Sequence, residues 1–132
     1  MEFLKQYEIL VKKSKTDLKV AKNILEDFNN GDEDLDLEVI MFHLQQSTEK
    51  LLKALLSFNK YHITKTHDIN HLIKNIKNNN IAIIDNIEKL SLLSDYAVEG
   101  RYAIINDDLE DTDKYIEILN ELQEFVKKVI TK

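Results

Sequence analysis

The stretch FHLQQSTEKLLKALL, residues 42–56, is the most hydrophobic helical segment of this chain, and it still carries a histidine, two glutamines and two lysines. Placed at 100° per residue, Ile40, Leu44, Ser47, Leu51, Ala54, Leu55 and Phe58 fall on one stripe, widened by Met41, Leu52 and Leu56. His43, Gln46, Lys50, Lys53 and Ser57 recur at steps of three and four and form a separate polar ridge, with Phe42 at its edge. The spacing predicts a central helix over about 36–62. A buried, unpaired lysine is costly, so the ridge is expected to face water, a ligand or another subunit.

Outward from this segment the same periodicity recurs. Leu4, Tyr7, Val11, Ser14, Leu18, Ala21, Leu25 and Phe28 alternate steps of three and four and mark a first helix, stopped by NNGDED at 29–34. KTHDINHLIKNI opens a shorter helix, with Thr66 or Asp68 as cap and Ile69, Leu72, Ile73 and Ile76 as buried face. A fourth helical segment is expected over 81–96 from Ile83, Ile84, Ile87, Leu90 and Leu93. VEGRYAIINDDLED, broken at Gly100, reads as an irregular connection. A last helix over about 112–130 buries Tyr115, Ile118, Leu119, Leu122, Phe125, Val126 and Val129, with Asp111 and Asp113 favouring its positive end.

Absence of proline, with only Gly31 and Gly100 for turns, fits an all-α protein. The expected architecture is an antiparallel up-and-down bundle of four main helices plus one short one, a single domain spanning 1–132.

Composition narrows the chemistry. Without cysteine there is no disulfide framework, thiolate nucleophile or Cys-ligated zinc, which suits a reducing cytoplasm. No signal peptide or membrane-length apolar run is apparent, so a cytoplasmic protein without membrane attachment is expected. The net charge of −6 argues against general nucleic-acid binding, but it is unevenly spread. Residues 43–77 hold six lysines against Glu49 and Asp68 together with all four histidines, whereas 85–124 hold twelve acids against Lys89, Arg101 and Lys114. The basic middle is either a solvated helix face or a phosphate-binding surface.

No cofactor or metal is called for. His67 and His71, four apart, could share a helical face, but the glutamate of an HExxH site is missing. The acids from Asp107 to Asp113 lack a calcium loop's glycine, replaced by Thr112, and its bidentate glutamate, replaced by Ile118. Two glycines allow no phosphate-cradling loop of the Walker or dinucleotide type, and no GxSxG-like turn presents a serine. The ridge residues His43, Gln46, Lys50 and Lys53 remain, able together to hydrogen-bond an anion.

Phe42, His43, Gln45, Gln46, Glu49, Lys50, Lys53 and Ala54, followed by Thr66, His67 and Asp68 and then by Arg101 and Tyr102, resemble the HEPN family of small helical bundles. The resemblance runs from about Tyr7 to Val129. It implies a bundle that commonly forms two-fold homodimers, is often encoded beside a minimal nucleotidyltransferase, and looks like the toxin of a toxin–antitoxin pair. Nucleotide binding has also been proposed for the fold. Family members resembling RNases carry an arginine and, after four to six intervening residues, a histidine that acts as general acid/base beside the charge-stabilising arginine. Arg101 is the plausible counterpart, but Asn106, Asp107 and Asp108 occupy the permitted histidine positions.

The sequence therefore leads to a HEPN-like bundle without that RNase motif, paired with a nucleotidyltransferase and binding nucleotide or RNA phosphate through His43, Gln46, Lys50, Lys53, His67, Arg101 and Tyr102, with no catalytic residue assigned. Alternatives are a metal-independent RNase with a rearranged site, in which His43 or His67 approaches Arg101, and a pure protein-interaction module.

Overall fold

Burial of one apolar stripe accounts for a helix lying on a surface; the helix that carries residues 42–56 is buried on several sides. The computed structural model describes residues 5–31, 37–63, 65–96 and 109–131. Its elements are α1 (Gln6–Asn29), α2 (Leu37–Phe58), α3 (Ile69–Asn78), a 3-10 helix (Ile87–Tyr96) and α4 (Leu109–Ile130), and no strand occurs among the described residues. Every other element packs against α2. Leu44, Leu51 and Leu55 of α2 join Leu18, Ala21 and Leu25 of α1, the four predicted apolar residues of α3, and Leu119, Leu122 and Val126 of α4 in one core. The helical bundle expected from periodicity is the fold observed.

Two groups of side chains fix α1 antiparallel to α2. Tyr7 meets Phe58 edge to face at 5.1 Å. Further along, Ser14 and Ser47 exchange bonds: Ser14 Oγ donates to the Ser47 carbonyl at 2.9 Å and Ser47 Oγ to the Ser14 carbonyl at 3.0 Å. Small side chains let the helices approach closely there, and both hydroxyls, fully buried, find the partners that burial requires.

Helix ends differ from the periodic reading in instructive ways. α2 stops at Phe58, short of residue 62, because Lys60 enters the left-handed region at φ 67°. Its N–H bonds the Ser57 carbonyl at 3.0 Å, and the Tyr61 N–H bonds the Leu56 carbonyl at 2.9 Å, a Schellman closure. α3 ends the same way, with Asn80 at φ 57° and the Ile81 N–H on the Ile76 carbonyl. At its start Asp68 is the cap, accepting the Asn70 N–H at 3.0 Å, while Thr66 Oγ1 accepts the Asp68 N–H and Ser94 Oγ accepts the Ile69 N–H.

The fourth segment is not helical from residue 81. Regular winding begins at Ile87 and is 3-10, which suits the buried series Ile84, Ile87, Leu90, Leu93, spaced by three and therefore aligned at three residues per turn. α4 starts at Leu109, three residues earlier than expected. Phe58, assigned to the core stripe, is only half-buried, as are Phe28, Phe125 and Val129.

Lys77 at the end of α3 pairs with Glu88 at the start of the 3-10 helix. The hydrogen bond from Lys77 holds the Glu88 carboxyl below the usual carboxylate range. Because the folded-state value is depressed, the pair adds stability above that range and loses it as pH falls through the depressed value; both groups are half exposed, so the contribution is small.

Lys60 is a non-glycine residue at a position where glycine costs nothing sterically. Lys60→Gly is expected to raise the unfolding free energy by about 1 kcal/mol, read from the urea midpoint. An unchanged or lowered midpoint would mean that the Lys60 side chain itself stabilises the turn.

Candidate functional site

The polar ridge of α2 lies against the chain's own carboxylates, a fourth possibility beside water, ligand and second subunit. Asp17, on α1 one turn after Ser14, sits between His43 and Lys50: its Oδ1 is 3.2 Å from His43 Nδ1 and its Oδ2 accepts from Lys50 Nζ. The step of seven from His43 to Lys50, two turns of α2, brings both partners to one side of the helix. Asp17 and Lys50 are 14% and 22% exposed, so the pair is well withdrawn from solvent.

Glu49 organises the second cluster. Its side chain is 7% exposed and receives three donors: Lys53 Nζ at 3.1 Å, Gln45 Nε2 at 3.2 Å and His67 Nδ1 at 2.8 Å. Gln45 is fully buried and spends its amide completely, donating also to the His67 carbonyl at 3.1 Å and accepting from Gln46 Nε2 at 2.7 Å. Glu49 and Gln45 therefore clamp the approach to α3 onto α2 through His67. His67 lies in the extended chain before the Asp68 cap, so it does not share a helical face with His71, contrary to the four-residue spacing. Its side chain is 64% exposed: Nδ1 is held by Glu49 while much of the ring remains open to solvent.

The structure thus brings His43, Gln46, Lys50, Lys53 and His67 into one polar layer spanning α1, α2 and the entry to α3. Arg101 and Tyr102, the other expected site residues, lie outside the described residues, as do Asn106, Asp107 and Asp108. Sequence periodicity does not single out Asp17. The available signal was polar residues at facing seams, Ser14 on α1 and Ser47 on α2, with a carboxylate one turn beyond the first.

With both imidazoles neutral, two carboxylates match two lysines, and each protonated imidazole adds one positive charge to the layer. Its chemistry is that of oriented nitrogen donors held by buried carboxylates. Among the described residues no group of three or more histidine or carboxylate side chains is arranged to hold a metal ion, and no helix is long and apolar enough to cross a membrane.

Residues 7–129 match the HEPN domain family. No curated protein matches the chain. Among solved structures, the crystal structure of an archaeal HEPN homologue is similar with a TM-score of 0.68 and 23% identity, covering 96% of this chain and 99% of that one. At that identity the likeness speaks for the fold.

Truncating the carboxylate that receives three donors leaves a largely buried lysine, and one of the two N–H bonds of the buried Gln45 amide, without an acceptor. Glu49→Ala is expected to cost about 3–5 kcal/mol in urea unfolding, and Glu49→Gln less, because an amide oxygen still accepts. A loss below about 1 kcal/mol for Glu49→Ala would show that the cluster is not a structural clamp.

Proposed function

The chain belongs to the HEPN family, and we propose that it is the bundle component of a two-component, toxin–antitoxin-like module, a homodimer working with a minimal nucleotidyltransferase and binding nucleotide or RNA phosphate without cleaving it. The observation that carries the non-cleaving part is in the sequence: Asn106, Asp107 and Asp108 stand where the family's RNA-cleaving members place histidine after the arginine. Acids there repel a phosphodiester instead of protonating a leaving oxygen. The proposed phosphate-binding set is His43, Gln46, Lys50, Lys53 and His67 of the polar layer, with Arg101 and Tyr102. Among its described members His67 is the most accessible donor, its ring oriented by Glu49.

A second reading is favoured by that same orientation. A carboxylate bonded to Nδ1 of a solvent-accessible histidine fixes the tautomer in which Nε2 accepts a proton. His67 so held would serve as general base in a metal-independent RNase with a rearranged site, Arg101 stabilising the developing charge.

One experiment separates the two. The purified chain, freed of partner, is incubated with several RNAs and titrated calorimetrically with nucleotides. The proposal expects intact RNA, measurable nucleotide or RNA binding, and a dimer in sedimentation. RNA cleavage abolished in His67→Gln and Arg101→Ala would replace it with the second reading, and absence of both cleavage and binding would remove the ligand altogether.

A further inference from the structure

We infer that the nucleotide-binding reading above extends to a second set of residues: a cleft at the end of the ridge, lined by Lys5, Gln6, Tyr7, Ser57, Phe58 and Lys60, binds a nucleoside monophosphate, its base against the aromatic pair and its phosphate between the two lysines. The inference rests on that reading and places the ligand on residues the sequence did not single out. Ser57 is the last member of the series His43, Gln46, Lys50, Lys53, Ser57, so the cleft continues the polar ridge where α2 ends beside the start of α1.

Three observations lead there. The cleft has a volume of about 480 Å³, room for a mononucleotide. Tyr7 and Phe58 form its aromatic wall, edge to face with centroids 5.1 Å apart; both rings are half-buried, so both keep accessible surface. Stacking on aromatic rings is how proteins hold a base without reading its edges. Charge supplies the third observation. Lys50 and Lys53 already have carboxylate partners, whereas Lys5 and Lys60, both exposed, form no ion pair among the described residues. Lys5 Nζ stands 5.9 Å from the Tyr7 ring centroid, so a cation and a π-face border the same space. Both lysines therefore border the aromatic wall with no carboxylate partner among the described residues competing for them.

Lys60 reaches the cleft from the left-handed position that closes α2, the same closure that Asn80 makes at the end of α3.

The test uses the full chain and four probes in calorimetric titration: AMP, UMP, adenosine and inorganic phosphate. AMP and UMP are expected to bind comparably and both more tightly than adenosine or phosphate, since each lacks half of the recognised chemistry. Lys60→Gly is expected to weaken AMP about tenfold or more while leaving the fold at least as stable, which separates lost contact from lost structure. Tyr7→Leu is expected to weaken AMP about fivefold or more through lost stacking, and circular dichroism confirms that the variant is folded. AMP binding unchanged in both variants but weakened in His67→Gln would overturn the cleft and keep the ridge. Inorganic phosphate bound as tightly as AMP would overturn the stacking, and adenosine bound as tightly as AMP would overturn the role of the lysines. RNA bound with no mononucleotide bound would overturn the cleft while leaving the proposed RNA phosphate contact intact.

Discussion

A polar side chain on a helix that packs against every other element must find its partner inside the protein, and this requirement on α2 shapes the rest of the molecule. The apolar stripe of α2 faces the core, while its ridge meets Asp17 of α1 and Glu49 of its own next turn. Breaking either carboxylate cluster would leave lysine or amide donors in a place water reaches poorly, at a cost comparable to a large share of a small domain's stability. The clusters therefore do more than neutralise charge. Asp17 ties α1 to α2 beside the reciprocal serine bonds, and Glu49 with Gln45 ties the chain entering α3 to α2 through His67.

That arrangement redistributes the charge on which the proposed function rests. A one-dimensional count makes residues 43–77 strongly basic, yet Lys50, Lys53 and Lys77 each meet a carboxylate in the fold. The lysines at the mouth of the aromatic cleft have no such partner among the described residues, and one of them sits in a left-handed backbone conformation. In the proposed cleft, stability and ligand binding would pull in opposite directions at Lys60, as they commonly do where a side chain is kept for what it contacts outside the protein.

Periodicity sufficed for the bundle because α1, α2 and α4 each bury a stripe at steps of three and four, a pattern that needs no tertiary information to recognise. It misjudged the segment after α3 because a series at strict steps of three matches either a helix of 3.6 residues per turn, briefly, or a 3-10 helix, and only packing decides. It placed the end of α2 too late because a Schellman closure needs a left-handed residue, and a lysine gives no warning of that. The ridge itself was legible; its partners were not. Asp17 lies 26 residues from His43 and 33 from Lys50, and nothing local marks it as their acceptor. Arg101 and Tyr102 remain proposals carried by the family motif.

The central claim is that the ridge of α2 is held by carboxylates within the chain. Its most direct test is a double-mutant cycle on Asp17 and Lys50, with Asp17→Asn, Lys50→Met and the double variant unfolded in urea. A pair this withdrawn from solvent predicts a coupling of about 1–3 kcal/mol. A coupling within about 0.3 kcal/mol of zero, the behaviour of an exposed ion pair, would contradict it.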